Sequence, residues 1–398
     1  GREQLVLLRD RTLSLLQQGD WDLAHVVGAL SDFMVAENMA GGGTSTIHFI
    51  DPDSPDAPGD MVRISAEVPG RYEYAKEHAR GGMGRVLMVY DKFLTRRIAL
   101  KELLPAHLNF NDGSTLDARV TTPDHETQQQ RARFLYEARI TAQLEHPSIV
   151  PVYELGRRED GKLYYTMRLV KGRSLRDAIR KADSLEARLA LLPHFIDLCQ
   201  AIAYAHSRSV IHRDIKPGNV MLGDFGETVV IDWGLAKSTR DSAVGSTEID
   251  ALRDAHVDML GTPAYMPPEQ ASGNVDDVNE RSDVYSLGAV LYELLTGAAP
   301  YPDKTPAAAL SKLLAGPPPS LSTAIPSAPD QLMAICNHAM DRNQESRYQT
   351  AKELSTDVER FLSGRLVGAY QYSLRELFVH FVRSFKAPLI VGAIGMAA

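Results

Sequence analysis

The run Ile211-His212-Arg213-Asp214-Ile215-Lys216-Pro217-Gly218-Asn219-Val220-Met221-Leu222 constrains this chain more than any other stretch. Asp214 and Asn219 stand five apart, with Lys216 between them. One short loop therefore carries a carboxylate that can accept a proton, an amide oxygen that can ligate a hard cation, and an ammonium that can face phosphate. Any fold this chain adopts must bring the partners of these groups from elsewhere in the sequence.

At 398 residues, the chain is longer than one core usually organises, so at least two lobes are expected. Hydrophobic residues make up 44% and charged residues 24%, which excludes a disordered or collagenous polypeptide. The net charge of −8 argues against a general nucleic-acid binder, and no nucleic-acid partner is expected. Cys199 and Cys336 are the only cysteines; lying far apart in apolar runs, they cannot form a disulfide framework or a four-ligand zinc site. Both read as packing residues in reducing, cytoplasmic surroundings.

Residues 1–70 read as a helical extension followed by an acidic, turn-rich linker, with a short strand at Ile47 to Ile50. From Arg71 strand-like runs take over: Tyr72 to Lys76, Arg85 to Tyr90 and Arg97 to Lys101. Residues 105–127 look like a polar insertion before a helix from Gln128 to Leu144. Two further strand candidates follow (Val152 to Leu155, Tyr164 to Met167), and helical patterns dominate from Leu175 onward. A strand-rich lobe precedes a helix-rich one, an α+β arrangement with a cleft between them.

The loop at 211–222 resembles the catalytic loop of the protein kinase family, and the resemblance extends over about residues 71–363. It implies the two-lobed kinase fold, with an N-lobe and hinge over 71–170 and a C-lobe over 171–363. It also implies ATP and magnesium as cofactors and Ser/Thr hydroxyls of proteins as substrates. Asp214 would orient or accept the hydroxyl proton, Lys216 would face the transferring phosphoryl group, and Asn219 would hold magnesium. For the second metal ligand the chain offers two look-alikes. Asp224-Phe225-Gly226 lies five residues beyond Asn219, too close for two strands to intervene, and reads as a β-turn. Asp232-Trp233-Gly234 lies 13 beyond, after the apolar strand Thr228 to Ile231, so Asp232 is the expected ligand, with Trp233 where the family more often has Phe.

Ala79-Arg80-Gly81-Gly82-Met83-Gly84-Arg85-Val86 resembles the family's glycine-rich loop, with Ala79 in place of its first glycine. Lys101 follows Gly84 by 17 residues on an expected strand, and Glu137 matches the helix glutamate that pairs with this lysine. The interval between Lys101 and Glu137 exceeds the family norm. The resemblance further implies that Val86, Ala99 and Met221 sandwich adenine. Met167 would gate the pocket, and Arg168 to Val170 would form the hinge. Gly261 to Gln270 resembles the end of an activation segment, with Pro267 for the usual alanine. Glu269 would pair with Arg347, and Asp283 would brace the catalytic loop. Lys216 and Thr262 resemble the serine/threonine rather than the tyrosine branch, and the whole is closest to bacterial receptor-like kinases.

Arg213, next to the expected catalytic Asp214 and with no other acidic residue in its loop, would be satisfied by a phosphate on Thr239, Ser242, Ser246 or Thr247, added by autophosphorylation, for which a homodimer would serve. Residues 364–386 form a basic segment. The uncharged run 387–398 behind Arg375, His380, Arg383 and Lys386 reads as the start of a membrane-crossing helix, its twelve residues being short of the about 20 that a span needs. It would anchor a cytoplasmic kinase domain to the cell membrane. Two alternatives remain at this stage. Ala79 and Trp233 prompt a catalytically weak pseudokinase that acts as a binding module. A small-molecule phosphotransferase could share the two-lobed fold, but such enzymes generally lack a segment like 261–270.

Overall fold

A computed structural model of the chain describes residues 64–80, 84–104, 125–238 and 262–378. The expected N-terminal helices, the strand at 47–50, most of the insertion, the four candidate phosphorylation sites and the run from 387 lie outside the described residues.

Alternating apolar residues build the first lobe around one sheet. Strands β1 (Ser65–Ala66), β2 (Tyr72–Arg80), β3 (Gly84–Asp91), β4 (Arg96–Leu103), β5 (Val152–Arg157) and β6 (Leu163–Met167) lie in the order β1-β5-β6-β4-β3-β2. Pairing is antiparallel except between β1 and β5. Ser65 and Ala66 stand on the linker side of a boundary drawn at residue 70, yet they extend the sheet, and the Glu67 N–H donates to the Arg157 carbonyl at 2.8 Å.

The period of two sorts the side chains by face. Leu87, Val89, Ile98, Leu100 and Tyr164 pack together on one side. Ala99, Lys101, Tyr165 and Met167 turn to the other, because Ala99 pairs with Met167 and Lys101 with Tyr165 across β4 and β6. Helix α1 (His125–Gln143) covers this second face and sets Phe134 and Ala138 among Leu103, Leu163 and Tyr165.

The second lobe is helical, comprising α2 (Leu175–Lys181), α3 (Leu185–Leu189), α4 (Leu192–Ser207), α5 (Pro268–Ala271), α6 (Glu280–Thr296), α7 (Pro306–Ala315), α8 (Leu321–Ala324), α9 (Asp330–Ala339) and α10 (Ala351–Leu362). Helix α6 is buried on all sides from Ser282 to Leu295, which makes it the central pillar. Its start is fixed by a reciprocal cap between Asn279 and Ser282, and it ends at Gly297, whose φ of +80° suits a residue without Cβ. Cys199 and Cys336 are buried free thiols in this core.

Short strands present the loop between the lobes. Strand β7 (Gly172–Ser174) pairs with β9 (Val220–Gly223), which pairs with β10 (Thr228–Val230), while β8 (Val210–Ile211) pairs with β11 (Lys237–Ser238). Residues 212–219 are thus held between β8 and β9. Among the described residues no helix is long and apolar enough to cross a membrane.

Candidate active site

The loop 212–219 is held from beneath by Asp283 on α6. Its carboxylate accepts the backbone N–H groups of His212 at 2.8 Å and Arg213 at 2.9 Å, and meets His206 Nε2 at 2.8 Å. Burial works to raise the Asp283 carboxyl, but His206 and these donors outweigh it and hold its pKa below the usual carboxylate range. Arg213 adopts a φ of +65°, rare for a residue with a side chain, and its Nε donates to the Leu235 carbonyl at 2.7 Å. Gln270 Nε2 donates to the Arg213 carbonyl at 3.1 Å. His206 does not stand out in the sequence, and Gln270 appears there only as the last residue of the stretch 261–270.

Asp214 is therefore presented on a fixed backbone. Its Oδ2 receives the Lys216 ammonium, and its Oδ1 accepts the Thr262 N–H at 3.1 Å. Lys216 Nζ also donates to Thr262 Oγ1 at 2.9 Å. Asn219 Nδ2 donates to the Asp214 carbonyl at 3.0 Å and to Oδ2 at 3.2 Å. The amide hydrogens of Asn219 are thus committed to Asp214, which leaves its carbonyl oxygen as the group to offer a cation.

Asp232 is brought beside Asn219 by the backbone, since the Ile231 N–H donates to the Asn219 carbonyl at 2.8 Å. Its own φ is +65°, and its side chain keeps 47% of its exposure. Burial works against its charge, yet Lys101 and Lys216 outweigh that cost and hold the carboxyl below its ordinary pKa. Trp233, fully buried, packs against His212 with ring centroids 4.5 Å apart and planes tilted by 46°. Burial lowers the His212 pKa and keeps the ring neutral, in keeping with Nδ1 accepting the Asp214 N–H at 3.3 Å. The rejected look-alike is a hairpin tip: Gly223 N–H meets the Glu227 carbonyl at 2.8 Å, Gly226 has φ +86°, and Phe225 is 97% exposed.

From the other lobe, Lys101 forms an ion pair with Glu137 and stands 3.5 Å from Asp232. The long interval 102–136 leaves this pair intact. Burial tends to lower the Lys101 pKa, but Glu137 and Asp232 raise it well above the usual lysine value, so the ammonium stays charged. Tyr165, which sequence reasoning passed over, donates to Glu137 Oε1 at 2.7 Å. The only hint of it in sequence is a hydroxyl-bearing ring on a strand that neighbours Lys101.

Between these groups lies an apolar wall. Val150, Val170 and Val229 pack with Met167, Met221 and Ile231. Val86 and Ala99 face the same side of the sheet, as Val86 pairs with Lys101 and Met88 with Ala99. Ala79 and Arg80 end β2 opposite Val86 and Arg85. Gly81, Gly82 and Met83 lie outside the described residues. Gly84 tolerates no Cβ, which would come within 2.5 Å of the Glu102 carbonyl oxygen. Arg168 donates its N–H to the Pro151 carbonyl at 3.2 Å and its guanidinium to Glu227 at 3.0 Å, tying the hinge to the β9–β10 hairpin.

The donor set fits a magnesium nucleotide. Asn219 and Asp232 offer hard oxygens, and no cluster of three His, Cys, Asp or Glu side chains among the described residues could hold a metal by itself. A magnesium ion here would be completed by phosphate and water, which is how that ion is usually bound.

Residues 72–364 match the protein kinase domain family. The chain is 34% identical to the serine/threonine-protein kinase PknD of Protochlamydia amoebophila over 315 residues, 74% of this chain and 30% of that protein. It is 36% identical to the "Probable serine/threonine-protein kinase PknB" of Bifidobacterium longum over 306 residues, 74% of this chain and 40% of that protein. The chain thus aligns with between three tenths and two fifths of the length of these relatives. With that match over most of its length, and a sheet, loop and ion pairs arranged as described, the chain belongs to the protein kinase family.

Proposed function

We propose that this chain transfers the γ-phosphate of magnesium ATP to serine or threonine hydroxyls of proteins. The observation that carries this is the convergence of Asp214, Lys216 and Asn219 from one loop with Asp232 and the Lys101–Glu137 pair. Magnesium, when bound, neutralises phosphate charge. Asp214 orients the substrate hydroxyl and accepts its proton, and Lys216 offsets charge on the moving phosphoryl group. Lys101, aimed by Glu137, holds the α and β phosphates. The apolar wall of Val86, Ala99, Met167, Val170 and Met221 takes adenine, with the backbone of Arg168 to Val170 along its edge and the loop from Ala79 to Gly84 over the phosphates. Labelled ATP with a generic protein substrate tests this: incorporation by the wild type and its loss in Asp214→Asn are expected, and equal incorporation by both rejects the assignment.

The same reading includes autophosphorylation of Thr239, Ser242, Ser246 or Thr247, with Arg213 as the receiving cation, by one copy acting on another. Phosphopeptide mapping after incubation with magnesium ATP should find modification there, at a rate per molecule that rises with protein concentration. The basic flank of residues 375–386 and the uncharged run from 387 support a kinase held at the cytoplasmic face of a membrane.

A further inference from the structure

Glu137 is a buried carboxylate, 1% exposed, and its oxygens are unequally served. Oε1 takes both the Lys101 ammonium and the Tyr165 hydroxyl, while Oε2 has no hydrogen-bond partner among the described residues. A buried charge with this few partners is costly, so each donor it keeps matters. Tyr165 is placed for the task. It pairs directly with Lys101 across β4 and β6, so the two side chains rise from the same face toward α1. Its ring is 3% exposed and lies against Phe134, one turn before Glu137 on α1, with centroids 5.3 Å apart.

We propose that Tyr165 is a positioning residue for nucleotide binding and phosphoryl transfer: its hydroxyl holds the Glu137 carboxylate, and with it α1, where Lys101 is aimed into the cleft. The phenol remains a donor throughout the physiological range, because burial drives its pKa well above 10 and Glu137 adds to the rise. The bond joins α1 to β6 within one lobe. It therefore acts on the Lys101–Glu137 pair from within that lobe. This rests on the kinase reading of the same site.

The test is Tyr165→Phe, which keeps the ring and removes only the donor, alone and in a Glu137→Gln background. Affinity for a fluorescent ATP analogue, kcat, KM for ATP and thermal midpoint are measured for each. The expected result is about a tenfold weaker nucleotide affinity and a matching rise in KM for Tyr165→Phe, the size of one hydrogen bond to a charged group. In the Glu137→Gln background the same change should have less than a twofold effect. Affinity and KM within twofold of wild type overturn the proposal. So does an equal loss in both backgrounds, which would mark Tyr165 as packing alone, or a variant that fails to fold. A wild type that binds the analogue but transfers no phosphate refutes the kinase reading, while the affinity comparison still judges Tyr165.

Discussion

Arg347 Nη1 and Nη2 each stand 2.9 Å from a separate oxygen of the Glu269 carboxylate, a two-pronged pair with the arginine side chain fully buried. Ser282 Oγ donates to the same carboxylate at 2.7 Å, and Arg347 spends its remaining hydrogens on the carbonyls of Asp341, Arg281 and Arg342. The pair fastens α5, at the end of the segment that carries Thr262, to the loop before α10. Arg347→Met should cost about 3–5 kcal/mol, because it strands a buried carboxylate. Burial works to raise the Glu269 pKa, but the arginine holds it below the ordinary glutamate value. The stability from this depressed carboxyl is present above the unfolded-state pKa and is lost as pH falls through the folded-state value. Denaturant titrations at several acid pH values should thus show a steeper decline for wild type than for Arg347→Met.

Asp283 sits at the hub of the loop, taking two backbone donors and His206. Replacement by Asn retains one acceptor oxygen and turns a donor toward an existing N–H. Asp283→Asn is expected to lower kcat at least tenfold and stability by about 1–3 kcal/mol while leaving nucleotide affinity within a few-fold, since the hinge and Lys101 are elsewhere. Transfer assays beside nucleotide titrations check this; affinity falling as far as kcat would contradict a role confined to the loop.

Lys101 touches both Glu137 and Asp232, so its loss exposes two charges to each other. Lys101→Met should weaken nucleotide binding by tenfold or more and lower the thermal midpoint, since the buried Glu137 keeps only the Tyr165 hydroxyl. A second change, Glu137→Gln, should restore part of the midpoint and none of the transfer activity. Scanning calorimetry and the transfer assay on the single and double variants separate the two effects.

What was legible in sequence follows from chain distance. Asp214, Lys216 and Asn219 share one loop, and reading Asp224 to Gly226 as a turn needed only the residues required to close a hairpin, which is where the β9–β10 pairing puts them. The Glu269–Arg347 pair and the bracing by Asp283 came with the family resemblance. Tyr165 and His206 were hidden because each acts across a register or packing angle that periodicity does not reveal: Tyr165 matters by facing Lys101 on another strand, and His206 by where α4 crosses α6. The contribution of Ser65 and Ala66 to the sheet was masked by turn-forming, acidic neighbours, and a two-residue strand carries too little pattern to read.

Trp233 bears on whether the departure from phenylalanine weakens the site. Its indole is fully buried against His212, and its Nε1–H finds no partner among the described residues. Two costs then oppose each other in Trp233→Phe. Shrinking the ring leaves a cavity worth about 1–3 kcal/mol, while removing an unsatisfied buried N–H returns a similar amount. The stability change should therefore fall within about 1 kcal/mol of zero, and kcat should stay within a few-fold, because a six-membered ring still packs against His212 and Asp232 keeps its backbone. Trp233→Ala, which loses the ring contact with His212 as well, should cost about 3–5 kcal/mol and most of the activity. Urea unfolding and transfer rates for the two variants decide it. A large gain in kcat for Trp233→Phe would mean that the tryptophan restrains Asp232, and would favour the catalytically weak alternative over an enzyme already competent as it stands.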